Sequence, residues 1–117
     1  MEGKVTGPKE LGEVKRQLAD RILHGQRLVG WSPDLPSKWW FGKIVDPRTG
    51  MPFTPSGAWD FIAEQLQDES TQIAVIDLEK PPNEKGYVLK ISVTEGTIYV
   101  KLQMGRENVV IGRSFHL

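Results

Sequence analysis

The sequence contains no cysteine, which excludes disulfide scaffolds, thiolate zinc sites and catalysis by a cysteine nucleophile. Its two histidines, His24 and His116, stand far apart in the chain, and neither has a second ligand at metal-binding spacing. The motifs of nucleotide-binding loops and of hydrolase nucleophile elbows are also absent. We therefore predict no bound metal and no cofactor.

An excess of charge is lacking too, because 15 basic residues balance 15 acidic ones. The net charge therefore does not indicate binding to nucleic acid or to a membrane surface, and any electropositive surface must be local. We expect no binding to DNA by this protein alone. No stretch approaches the ~20 apolar residues of a membrane span, and residues 1–9 lack the apolar core of a secretory signal. The prediction is a soluble cytoplasmic protein without a membrane partner.

The chain of 117 residues has the length of one domain, which we take as residues 1–117. Apolar residues recur at helical spacing after Pro8 and before Gly25, and they predict a first helix there. Thr54 and Pro55 form an N-cap and first-turn pair for a second helix, which ends around Asp68.

Strand signals fill the second half of the chain, at residues 72–78, 87–93, 97–104 and 109–116. Apolar and polar residues alternate in the second and third of these segments, as in a sheet with one buried face. Since short loops join the last three segments, the sheet is predicted to be antiparallel. The predicted fold class is α+β, with two N-terminal helices packed on a four-stranded antiparallel sheet.

The predicted sheet has an open polar face that is a candidate site for RNA cleavage; it carries Lys90, Tyr99, Lys101, Gln103, Ser114 and His116. Cleavage of RNA by its own 2′-hydroxyl needs one group to take that proton, one to protonate the leaving oxygen, and cations to stabilise the phosphorane. These side chains can fill all three roles without a metal. The alternative is that they form only the hydrated face of a half-buried sheet.

The last strand decides which side chains join this face. We place Ile111 and Phe115 in the core, and Gly112 on the open face with Ser114 and His116. Arg113 then falls on the apolar side, unless a bulge at Gly112 turns it outward.

The least regular stretch, residues 26–53, holds three of the four tryptophans. Trp39, Trp40 and Phe41 are adjacent there, between Lys38 and Lys43. Aromatic rings stack on unpaired bases while lysines bind phosphates, so Trp39, Trp40 and Lys43 are candidate RNA-binding residues. The alternative is that two of the three rings cover the sheet or pack between the helices.

Several short motifs resemble those of a known family. Leu11, Val14 and Lys15 match an L-x-x-V-K helix core, and residues 77–81 match a strand followed by a proline loop. Residues 88–93 with 98–100 match a hairpin of the form Y-x-L-K-I-x-V. They are similar to motifs of the MqsR (motility quorum-sensing regulator) family of toxin ribonucleases, within the wider RelE-like group. The ending Arg113-Ser114-Phe115-His116 is similar to the catalytic Arg-x-His segment of other RelE-type toxins. Gln103 replaces the hairpin lysine of the family, and Lys101 lies two residues earlier on the same face.

This resemblance implies a microbial-ribonuclease-like fold and the activity of an mRNA interferase, the toxin of a toxin-antitoxin pair. It implies a cognate antitoxin protein as partner, and mRNA, free or on the ribosome, as substrate. We expect His116 to act as general acid or base. Arg113 and Lys101 would stabilise the pentacovalent phosphate. Tyr99 and Lys90 would assist or position the strand.

Two other functions stay open from the residues alone. One is a non-catalytic protein-binding or regulatory module, with the Trp-rich segment 31–43 as its contact surface. The other is a domain that binds a small ligand between that segment and the sheet.

Overall fold

The computed structural model describes residues 8–30, 37–78 and 84–117. Within them the elements are α1 (Pro8–Leu23), β1 (Arg27–Val29), β2 (Lys38–Trp39), α2 (Pro55–Gln67), β3 (Ile73–Asp77), β4 (Lys85–Val93), β5 (Gly96–Met104) and β6 (Val110–His116). The α+β class is thus confirmed. Part of the Trp-rich segment and most of the proline loop, residues 31–36 and 79–83, lie outside the described residues.

Both helices begin and end where the sequence predicts. Gly25 follows α1 with a φ of 81°, a conformation that glycine adopts without strain. The Thr54 side chain accepts a hydrogen bond from the Gly57 amide (2.9 Å) at the start of α2. The Lys15 ammonium of α1 is buried and donates to the Asp68 carbonyl (2.7 Å), so it caps the C-terminal end of α2. The lysine of the L-x-x-V-K motif therefore joins the two helices.

The sheet differs from the prediction in size and in direction. Among the described residues it has six strands, in the order β1-β6-β5-β4-β3, and β2 also pairs with β6. The four predicted strands are antiparallel to one another, whereas β1 and β2 run parallel to β6. The predictions of four strands and of a purely antiparallel sheet were thus wrong. The short strands β1 and β2 have three and two residues, too few to show alternation in the sequence. The second helix also follows β1 and β2, so only α1 precedes all the strands.

The helices cover one face of the sheet, and an apolar row crosses the middle of that face. Register places Trp39 beside Phe115, Phe115 beside Val100, Val100 beside Leu89, and Leu89 beside Ile73. Phe115, Val100 and Leu89 are fully buried and pack in one cluster with apolar residues of α1 and α2. No helix in the described part of the chain is long and apolar enough to cross a membrane.

A β-bulge interrupts β6 at Arg113. Ser114 pairs with Lys101 and Gly112 with Leu102, which leaves Arg113 as the extra residue. The bulge turns Arg113 outward, which is the alternative that the sequence left open, with Arg113 rather than Gly112 as the extra residue. It also reverses the alternation before it, so Gly112 lies on the core face and Ile111 lies opposite Gln103 on the open face. The predicted faces of Ile111 and Gly112 were therefore wrong.

The turn before α2 is held by an ion pair. The buried Asp46 carboxylate binds the Arg48 guanidinium (Oδ2 to Nη2, 2.8 Å), and Arg48 also donates to the Gly57 carbonyl (2.8 Å). The hydrogen bond from the Arg48 side chain holds the pKa of Asp46 below its ordinary value, although burial acts in the opposite direction. This pair ties the turn to the first turn of α2.

Asp46→Asn should lower the free energy of unfolding by about 2 kcal/mol at pH 7, because it removes one partner of a largely buried ion pair. The pKa of Asp46 is lower in the folded protein than in the unfolded chain, so its stabilisation is complete above about pH 4 and is lost as the pH falls through the folded pKa. Urea unfolding at pH 7 and pH 3 should therefore show a smaller difference at pH 3. Glu13→Gln, at an exposed position of α1, is the control and should change little. Equal stability of Asp46→Asn and wild type at pH 7 would contradict this role.

Candidate functional site

The open face carries a row of three predicted site residues. Tyr99 of β5 pairs with His116 of β6 on one side and with Lys90 of β4 on the other. Cross-strand partners share a face of the sheet, so these three side chains stand side by side. The placement of His116 beside Tyr99 agrees with the sequence-based expectation.

The His116 ring lies between two other rings. Its centroid is 5.6 Å from that of Tyr99, in a stacked arrangement, and 5.4 Å from that of Trp40. Its Nδ1 lies 2.8 Å from the main-chain oxygen of Leu117. Because that oxygen can only accept, Nδ1 is the donor, and in the neutral ring the lone pair then lies on Nε2.

A second row lies one step along the strands. Register places Ser114 between Lys101 of β5 and Lys38 of β2, and Ser114 is buried although it belongs to this face. Lys38, Lys90 and Lys101 form no ion pair with any carboxylate of the described ranges. The protein has no net charge, yet this face carries three lysines that a polyanion can neutralise.

Arg113 and Gln103 form a separate group on the same face. The Arg113 Nε donates to the Gln103 amide oxygen (3.0 Å), and the Gln103 Nε2 donates to the Glu84 carboxylate (2.9 Å). Burial lowers the pKa of Arg113, but a guanidinium remains charged at neutral pH. His116 lies three positions after Arg113 in β6, about 10 Å along the strand. The structure therefore does not bring Arg113 and His116 to the same point, and Lys101 is the predicted phosphate-binding cation that lies nearer to His116.

The two adjacent tryptophans lie on different faces. Trp39 packs in the core, with ring centroids 4.9 Å from Trp59 and 5.5 Å from Phe115. Trp40 is 53% exposed and lies beside His116. The packing alternative thus applies to Trp39, and only Trp40 joins the open face. Phe41 also packs against the core.

Lys43 stands apart from both rows. It ends a 3₁₀ turn at Phe41–Lys43 and is exposed. None of its described neighbours binds its ammonium group. The turn brings Lys43 within one helical turn of Trp40, because the Lys43 amide donates to the Trp40 carbonyl (3.4 Å).

Lys38 and Glu84 also belong to the open face, although neither was among the predicted site residues. Lys38 joins it through the parallel pairing of β2 with β6, a contact between distant segments that no local pattern reveals. Glu84 joins it through its hydrogen bond to Gln103. In the sequence, the position of Lys38 next to two tryptophans was the available signal for Lys38, and nothing marked Glu84.

Comparisons of this chain with protein-family models, with curated proteins and with solved structures found no match. Among the described residues, no group of three or more His, Asp or Glu side chains is placed to hold a metal ion. The function is therefore argued from the geometry of the open face.

The position of Trp40 beside His116 depends on its neighbour Trp39, whose ring packs against Gly112 of β6. A methyl group at Gly112 would lie 2.6 Å from the Trp39 ring and 3.0 Å from the Trp59 ring, closer than packed side chains allow. Gly112→Ala should therefore displace Trp39 with β2 and lower the free energy of unfolding by roughly 1–3 kcal/mol. Denaturant unfolding measures this loss.

Gly42→Ala is the matched control, because nothing lies within 4 Å of a methyl group at that position. It should leave stability nearly unchanged. Equal stability of the two variants would show that the Trp39 ring does not rest against Gly112.

Proposed function

We propose that this protein is the toxin of a toxin-antitoxin pair, a metal-independent endoribonuclease that cleaves mRNA in the cytoplasm, free or on the ribosome. The observation that carries the proposal is the position of His116 on the open face, between Tyr99 and Trp40 and next to a row that carries Lys101. The motif resemblance to toxin ribonucleases adds support, and so does the packing of the helices on one face of the sheet, which leaves the other face for a substrate.

His116 is the proposed general base. Since Nδ1 donates to the main-chain oxygen of Leu117, Nε2 of the neutral ring accepts the proton of an RNA 2′-hydroxyl. The 2′-oxygen then forms a bond to the adjacent phosphorus, and the bond from phosphorus to the 5′-oxygen breaks. The expected products are a 2′,3′-cyclic phosphate and a 5′-hydroxyl.

The neighbouring side chains complete the step. The Lys101 ammonium stabilises the negative charge on the non-bridging oxygens of the phosphorane. The Tyr99 hydroxyl donates a proton to the leaving 5′-oxygen, and the ammonium of Lys90, its cross-strand partner, stabilises the resulting phenolate. His116 returns its proton to solvent and Tyr99 regains one after the products leave. Arg113 binds a phosphate farther along the strand.

The proposal includes a cognate antitoxin. The helices cover the opposite face of the sheet, and Trp40 and Lys90 at the His116 end of the open face are exposed, so an RNA strand and an inhibitor can both reach this end. An antitoxin that covers His116 and Lys101 would block substrate and chemistry together. Its removal should release the activity.

A second candidate function is a non-catalytic protein-binding module. The observation that favours it is the set of exposed apolar side chains at the edge of the sheet formed by β1 and β2, where Trp40 is 53% exposed, Leu28 48% and Val29 39%. In that case Trp40 would contact a partner protein, and His116 would only support its ring.

His116→Ala should slow the cleavage of a single-stranded mRNA transcript by purified protein at least 100-fold, because it removes the general base. His24→Ala is the matched control: it removes the other histidine, an exposed residue at the end of α1, and should change the rate less than twofold. The measurement is the initial cleavage rate in buffer containing a metal chelator. Both variants should unfold at the same denaturant concentration as wild type.

Induced expression in a bacterial host extends this test. Wild type and His24→Ala should arrest growth and produce new mRNA ends, and His116→Ala should do neither. Cleavage that is equally fast in all three proteins would assign the chemistry to other residues. Intact RNA and normal growth with wild type would refute the ribonuclease and leave the binding module.

A further inference from the structure

We infer that Trp40 is the stacking platform for an unpaired purine base of the RNA, in the nucleotide whose 2′-hydroxyl meets His116. This inference rests on the proposed function and adds a residue that selects the substrate. It concerns single-stranded RNA, because a base within a duplex has no free face for stacking.

The exposure of Trp40 is the first argument. Trp39 and Trp59 pack against each other in the core, whereas the Trp40 ring is 53% exposed. The His116 ring lies beside the Trp40 ring, at a centroid distance of 5.4 Å, and the exposed half of the Trp40 side chain offers a flat apolar surface. A surface of this kind can cover a purine ring.

The ring also stands on a fixed backbone. The Trp40 amide donates to the Phe115 carbonyl of β6 (2.8 Å), and its carbonyl accepts from Lys43. A platform held on both sides requires little ordering when a base binds, so more of the stacking free energy contributes to affinity.

Charge supplies the second argument. Lys38 and Lys43 flank Trp40 in sequence, both are exposed, and neither forms an ion pair with a described carboxylate. An aromatic ring between unpaired cations is the arrangement by which proteins bind single strands, with bases on the ring and phosphates on the cations.

The short distance between the Trp40 and His116 rings places this base next to the phosphodiester bond that is cleaved. A base stacked on Trp40 extends its ribose beyond the indole, and the His116 ring lies beside that indole, with the two ring centroids 5.4 Å apart. The ribose of the stacked nucleotide is therefore the one that presents its 2′-hydroxyl to Nε2. A purine covers more of the indole than a pyrimidine does, so cleavage should favour a purine on the 5′ side of the cut.

The test uses fluorescein-labelled hexamers of adenosine or uridine nucleotides with 2′-fluoro riboses, which bind without being cleaved. In fluorescence anisotropy, Trp40→Ala should weaken the binding of the adenosine hexamer about 5- to 150-fold, the range expected for one lost stack. Trp40→Phe should retain most of the affinity. Wild type should bind the adenosine hexamer more tightly than the uridine hexamer, and Trp40→Ala should remove that preference.

Leu28→Ala is the matched control, because Leu28 is an apolar residue of similar exposure, 48%, on β1, which pairs with a different part of β6. It should bind both hexamers like wild type. Wild-type tryptophan emission should fall when the adenosine hexamer binds, and the emission of Trp40→Phe should not.

The outcomes separate this inference from the proposed function. If wild type cleaves RNA and Trp40→Ala binds both hexamers like wild type, the stacking role is refuted and the ribonuclease stands. If wild type neither binds the hexamers nor cleaves RNA, both are refuted. Equal losses in Trp40→Ala and Leu28→Ala would also overturn the inference, since they would indicate a general apolar contact.

Discussion

The pairing of two short parallel strands with β6 is the constraint on which the candidate site depends. β2 has only two residues, and its register against β6 directs Trp39 into the core and Trp40 to the open face. The same pairing brings Lys38 beside Ser114. Because Trp39 packs on Trp59 and Phe115, the stability of the core also holds Trp40 beside His116. Packing on one face of the sheet thus positions the candidate site on the other.

The β-bulge at Arg113 divides the open face into two parts. His116, Tyr99 and Lys101 lie on one side of it, and Arg113 with Gln103 lies on the other. Without the extra residue, strict alternation would point Arg113 into an apolar core, where an unpaired guanidinium is costly. The bulge avoids that cost and leaves the two groups two to three residues apart along the strands, so in the proposed complex one RNA strand would contact them at different nucleotides.

The sequence predicts the parts of this fold that local patterns determine. Both helices follow from capping residues and apolar spacing, β4 and β5 follow from alternation, and β3 and β6 follow from runs of β-branched residues. The short strands β1 and β2 escape prediction because only their contacts with β6 define them. The same limit applies to the site: the alternation of β5 and the end of β6 place His116 with Tyr99 and Lys101, but the reversal at the bulge changes the faces of Ile111 and Gly112. Adjacent tryptophans gave no sign of which one is buried.

The chemical ends of the cleaved RNA test the central claim most directly. Mass spectrometry should compare an oligoribonucleotide, cut by the wild-type protein, with a copy that has a single 2′-deoxy nucleotide on the 5′ side of the cut. The account predicts a 2′,3′-cyclic phosphate and a 5′-hydroxyl from the first, and no cleavage at that position in the second. A 5′-phosphate with a 3′-hydroxyl, or cleavage of the deoxy copy at the same bond, would show that the 2′-hydroxyl is not the nucleophile. Either result would contradict the role assigned to His116.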